Sequence, residues 1–207
     1  MSQTPPIILA SGSAVRANLL TGARIPFEKK PAHLDESILK RELENDPAAQ
    51  GEHGAGPAIA EALAKAKAEL VSKANPSALV IGADQVMTLG TTCYDKPGDM
   101  AEAKARLRDF RGKPHVLHGG VALARDGKTI WHHYQPSHLT MRDFSDAFLD
   151  GYLEEAGEAV LSSVGAYQLE SIGAQLFEKI DGDYFAILGL PLLPLMAELR
   201  RLGALQD

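Results

Sequence analysis

The chain has one cysteine, Cys93, in 207 residues. No internal disulfide can form, and a reducing compartment is expected. No run approaches the ~20 apolar residues needed to cross a bilayer. The opening MSQTPPIILASGS also lacks the basic and long apolar stretches of a secretory leader. The expectation is therefore a cytoplasmic protein without a membrane partner. Positive charge is scarce too: 21 Lys and Arg stand against 27 Asp and Glu, a net charge of −6. That balance argues against a general nucleic-acid binder and requires any anionic ligand to be met by locally gathered cations. No internal repeat, heptad run or dividing linker is found, so one domain over residues 1–207 is expected. Hydrophobic residues at 45% and charged residues at 23% are ordinary for a folded protein and exclude disorder.

Pro5-Pro6 stops any helix, and Ile7 to Ala10 reads as a short buried strand. Ser11-Gly12-Ser13 follows as turn and cap, and a helical pattern from Val15 to Leu20 is closed by Gly22. Pro26 to Pro31 is extended, and Asp35 opens an acidic helix over Glu36 to Glu44. Gln50 to Pro57 is loop-like, and Pro57 sits in the first turn of a strong helix over Ala58 to Lys73. Ala78 to Ala83 is the continuous apolar run of an inner strand. Helices are predicted over 100–110, 146–155 and 191–202, and a hairpin over 116–134 around Asp126-Gly127. A second hairpin is predicted from Gln175–Ile180 and Tyr184–Ile187, turning at Asp181-Gly182. Crossovers early and hairpins late point to an α/β fold, a mixed sheet flanked by helices.

Three constellations bear on chemistry. At the strand–Ser11-Gly12-Ser13–helix junction, unpaired N–H groups and the helix dipole favour a phosphate, and Gly12 permits close approach. Arg16 opposes that dipole unless an anion lies between; the plain alternative is an N-cap serine with an exposed arginine. Asp84 stands at the end of the apolar run, where a carboxylate must be paired, hydrogen-bonded or metal-bound. It reads either as a general base or Mg²⁺ ligand, or as a turn cap. Asp35-Glu36, Lys67 and Asp95-Lys96-Pro97 supply the carboxylates and cations that metal-dependent phosphoryl chemistry needs, or else solvated surface. Adjacent His132 and His133 point to opposite faces of a strand, and His115 and His118 lack cysteine partners, which argues against zinc.

In this order the segments 9–20 (LASGSAVRANLL), Asp35-Glu36, 63–70 (LAKAKAEL), 81–86 (IGADQV), 95–97 (DKP), 111–123 (RGKPHVLHGGVAL), 164–174 (VGAYQLESIGA) and 182–192 (GDYFAILGLPL) resemble the Maf (septum-formation-inhibitor-like) family of nucleoside triphosphate pyrophosphatases. The resemblance covers nearly the whole chain and implies a two-lobed fold with a central cleft. It implies hydrolysis of a nucleoside triphosphate to the monophosphate and pyrophosphate with a divalent cation, Mg²⁺ or Mn²⁺.

In that pattern Asp84 is the proton acceptor for water attacking the α-phosphorus, and Ser11, Ser13, Arg16, Lys67 and Lys96 line the phosphate cleft. Glu36 joins Asp84 near the metal, and Val15, Gln85 and Glu170 tune base choice. The implied substrate is a non-standard or pyrimidine nucleotide. Gln85 and Glu170 resemble the branch acting on 7-methyl-GTP, whereas the dTTP/UTP branch has Thr after the catalytic Asp. The chain departs from the pattern at Ala14-Val15 (usually Pro-Arg, with an aromatic expected at 15 for 7-methyl-GTP), at Asp95 (commonly Gly) and at Gly119 (commonly Thr). The rival is a non-catalytic nucleotide-binding regulator of cell division. A homodimer is left open.

Overall fold

In a computed structural model of the chain, which describes residues 5–206, the apolar residues after Pro6 form a short buried strand, β1 (Ile7–Leu9). Residues 1–4, the start of the N-terminal stretch read above, and residue 207 lie outside the described part. Ser13 caps α1 (Ala14–Gly22), its side chain accepting from the Arg16 N–H. The chain returns through β2 (Glu28–Lys29) to α2 (Glu36–Glu44), capped by Asp35, a 3-10 turn (Pro47–Ala49) and the long α3 (Gly56–Lys73). Next come β3 (Leu79–Leu89), β4 (Thr92–Tyr94), α4 (Met100–Phe110), β5 (Pro114–Arg125), β6 (Lys128–Met141) and α5 (Asp146–Ala156). Two 3-10 turns (Gly157–Ser162 and Ile172–Leu176) lead to β7 (Phe177–Asp181), α6 (Tyr184–Ile187) and α7 (Leu192–Arg201). No helix among the described residues is long and apolar enough to cross a membrane.

The strands form one mixed sheet in the order β2-β1-β3-β5-β6-β7, with β4 added to the far end of β3. The β2-β1-β3 part is parallel, as crossover connections require, and the remainder is antiparallel. The mixed α/β sheet is as expected. The two largest hydrophobic clusters pack along it. One gathers Met87, Leu107, Phe110, Leu117 and Leu139, and the other Leu9, Leu20, Ile81, Leu123 and Leu195. They lie toward opposite ends of the β3–β5 pair, where Met87 faces Leu117 and Ile81 faces Leu123.

Two local expectations are corrected. β7 pairs with β6 through Leu139 and Ile180, not with residues 184–187, so Asp181-Gly182 is no hairpin turn. Asp183 accepts the Ala186 N–H at 2.8 Å and so nucleates the short helix α6 instead. Asp84 also lies in the middle of β3, not at its end, because pairing with β5 continues from Val80 to Thr88.

Small residues let α3 lie unusually close to the sheet. A Cβ on Gly82 would fall 2.1 Å from the Ala64 carbonyl oxygen, and one on Gly120 would fall 2.3 Å from that of Ala60. Both obstacles are backbone, so neither can swing aside. Gly120 pairs with Asp84 across the β3–β5 ladder, so the helix closes in where the carboxylate projects. Gly120→Ala is therefore expected to destabilise the fold by about 1–3 kcal/mol, read as a lower denaturant midpoint at unchanged slope.

Candidate active site

The site begins with a gap in the sheet. β1 pairs with β3 only through residues 79–81, and β4 pairs only with 87–89. Between them, residues 82–86 of β3 have no strand on that edge. Here β1 also has β2 on one side and β3 on the other, the reversal of strand order beside which α/β proteins gather ligands. A cleft of about 850 Å³ opens at this point. Every sequence-predicted site residue lines it: Ser11, Ser13, Val15 and Arg16 from the β1–α1 junction, Glu36 from α2, Lys67 from α3, Asp84 and Gln85 from β3, Lys96 before α4, and Glu170.

Asp84 and Lys67 form the floor. Both are buried, and Lys67 Nζ lies 2.6 Å from Asp84 Oδ1 and 2.8 Å from Glu36 Oε1. Asp84 Oδ2 makes no hydrogen bond among the described residues. Burial pushes the Asp84 carboxyl above its ordinary value, opposed by the charges of Lys67 and Arg16 and assisted by Glu36. A carboxylate held in place yet reluctant to stay ionised is a stronger base than one in water.

Arg16 serves the scaffold more than the sequence suggests. Its Nε donates to the Gly189 carbonyl at 2.7 Å, and its Nη1 donates to the Ala83 carbonyl at 2.9 Å and to Ser11 Oγ at 3.0 Å. The Ala83 carbonyl faces the gap, so the guanidinium satisfies an edge that no strand reaches. Burial lowers its proton affinity, while Asp84 and Glu36 support its charge. Lys29 Nζ donates to the Gly12 carbonyl at 2.8 Å and fixes the same loop. Lys96 makes no ion pair among the described residues.

The other end of the cleft is less charged. Gln85 points to the face of β3 opposite Asp84, and its Nε2 donates to the Ala186 and Ile187 carbonyls at 2.9 and 3.1 Å. Its carbonyl oxygen has no partner among the described residues. Val15, Tyr94, Leu117 and Tyr167 add apolar wall, and Gln168 and exposed Glu170 stand at the rim.

Lys40, Tyr94 and residues 162–164 and 167–169 line the cleft without having been given a site role from the sequence. The stretch 162–169 is irregular and carries no periodic signal. Lys40 did carry one: Glu36, Lys40 and Glu44 recur every four residues and share one face of α2.

A hard divalent cation is commonly held by one or two carboxylates, with phosphate and water completing its oxygen shell. Glu36 and Asp84, converging on one ammonium, fit that donor set. Among the described residues no group of three or more His, Cys, Asp or Glu side chains is placed to hold a metal by itself.

The family model described as "Maf-like protein" matches residues 6–202. The chain belongs to that family. Among its relatives, the 7-methyl-GTP pyrophosphatase of Brucella suis is 51% identical over 199 residues, 96% of each chain. The nucleoside triphosphate pyrophosphatase of Maricaulis maris is 51% identical over 200 residues, 97% of this chain and 98% of the relative. That of Paramagnetospirillum magneticum is 50% identical over 198 residues, 96% and 99% of the two chains.

Proposed function

We propose that the chain is a nucleoside triphosphate pyrophosphatase that converts its substrate to the nucleoside monophosphate and pyrophosphate. The observation that carries this reading is the Lys67–Asp84 pair, buried at the floor of a cleft whose walls gather further cations. Family membership and the names of the relatives agree with it.

Ser11, Ser13 and the start of α1 would receive phosphate oxygens, with Lys67 and Lys96 supplying positive charge. Asp84 Oδ2 would take a proton from water as the water oxygen bonds to the α-phosphorus. The bond from that phosphorus to the bridging oxygen breaks, and pyrophosphate leaves with the electron pair. The buried carboxylate holds the proton until it returns to solvent. Glu36 and Asp84 would hold Mg²⁺ or Mn²⁺, whose charge, when bound, offsets that of the triphosphate. Gln85 and Glu170, which also line the cleft, would meet the nucleobase.

Among candidate bases, 7-methylguanine fits best. Its ring is cationic and its edge presents N–H donors, and the Glu170 carboxylate and the Gln85 carbonyl oxygen are acceptors. Val15 offers no aromatic face for stacking, so selectivity would rest on those two polar groups. The test is pyrophosphate release from 7-methyl-GTP, UTP, dTTP and 5-methyl-UTP with Mg²⁺ or Mn²⁺. The expected result is the highest kcat/KM for 7-methyl-GTP; release from none of them would contradict the activity.

A further inference from the structure

Along one wall of the cleft, Asp84, Lys67, Glu36, Lys40 and Asp95 form a chain of alternating charge. Lys40 Nζ lies 2.5 Å from Asp95 Oδ1 and 3.9 Å from Glu36 Oε2, beyond the Lys67 contacts already described. The inner end is fixed, since Lys67 is buried between two carboxylates. The outer end is open: the Asp95 side chain is 78% exposed and that of Lys40 is 27% exposed. An ion pair so exposed contributes at most ~1 kcal/mol, so its partners separate readily. Lys40 is one helical turn beyond Glu36 on the cleft face of α2, and Asp95 directly precedes Lys96.

We propose that Lys40 is a substrate-binding residue, held by Asp95 as a counter-ion in the free protein and transferred to phosphate oxygens when the triphosphate enters. Asp95 then acts through Lys40, as a competitor that weakens substrate binding. The inference rests on the activity proposed above. Its alternative is a strap, in which the Lys40–Asp95 pair only ties α2 to the segment before α4. The two differ in sign. A strap is broken equally from either end, whereas a competitor and its prize have opposite effects.

The experiment is steady-state pyrophosphate release by Lys40→Gln, Lys40→Arg, Asp95→Asn and the Lys40→Gln/Asp95→Asn double variant, with melting curves to check folding. Lys40→Gln is expected to raise KM about tenfold and to change KM more than kcat, with Lys40→Arg recovering most of the loss. Asp95→Asn is expected to lower KM about threefold, a gain that shrinks in the Lys40→Gln background. KM rising in both single variants, or unchanged in Lys40→Gln, would overturn the inference. If the wild type releases no pyrophosphate, the activity is what fails, and the same comparison is then made on nucleotide affinity by calorimetry.

Discussion

Asp84→Asn is expected to lower kcat by about 10²- to 10⁴-fold, the span that a positioned general base contributes. The replacement keeps shape and size but cannot take a proton from water. Lys67 retains Glu36 at 2.8 Å, so its ammonium is not stranded. The wild-type carboxyl has its pKa raised by burial, which means that the folded state disfavours its charge above that pKa. At neutral pH the Asn variant is therefore expected to melt at or above the wild-type temperature. Rapid-quench or steady-state product assays, paired with melting curves, check both statements. A variant that folds and turns over at the wild-type rate would remove Asp84 from the mechanism.

Acid is expected to destabilise the fold steeply between pH 6.5 and about 4. His115 and His118 are buried, and burial lowers each from 6.5 to about 4. His118 lies between Thr88 and Tyr134, and its charged form is further opposed by His53 and His138. His115 donates to or accepts from the Tyr167 hydroxyl at 2.8 Å, and its Nδ1 is buried without a hydrogen-bond partner among the described residues.

Above pH 6.5 both imidazoles are neutral in either state, so their contribution is complete there. As pH falls through 6.5, the unfolded chain binds protons that the native one excludes, and stability drops until about pH 4. The loss is roughly 3 kcal/mol for each imidazole, a large part of a typical domain's 5–15 kcal/mol. Urea titrations at pH 7.5, 6 and 5 measure it. His115→Gln, which cannot titrate there, is expected to lose about half as much as the wild type. Equal stability at all three pH values would contradict the assignment.

Much of the framework was legible because local chemistry and global fold agree. Ser13 and Asp35 cap the helices they were expected to cap. Asp126 and Gly127 adopt φ of 51° and 79°, as a two-residue hairpin turn requires. The failures have equally local causes. The apolar run that marked β3 stops at Ala83 because the next residues border the cleft, yet β5 carries the strand five residues further, to Thr88. Tyr184 to Ile187 has the composition of a strand, but the Asp183 cap and the fit of Gly182 against Ser137 turn it into a helix.

The candidate site was legible wherever it sits on regular elements. Asp84, Lys67 and the β1–α1 junction all come together as an α/β switch point would have it. The scaffold contacts of Arg16 were not legible, since spacing cannot reveal that carbonyls 67 and 173 residues away in sequence will accept from its guanidinium. The 162–169 wall has no period to detect, and only the fold brings it to the cleft.

The central claim is attack of water at the α-phosphorus, and turnover in ¹⁸O-labelled water tests it most directly. The account predicts one ¹⁸O in the nucleoside monophosphate and none in pyrophosphate. Label in pyrophosphate, or orthophosphate as the first product, would contradict it.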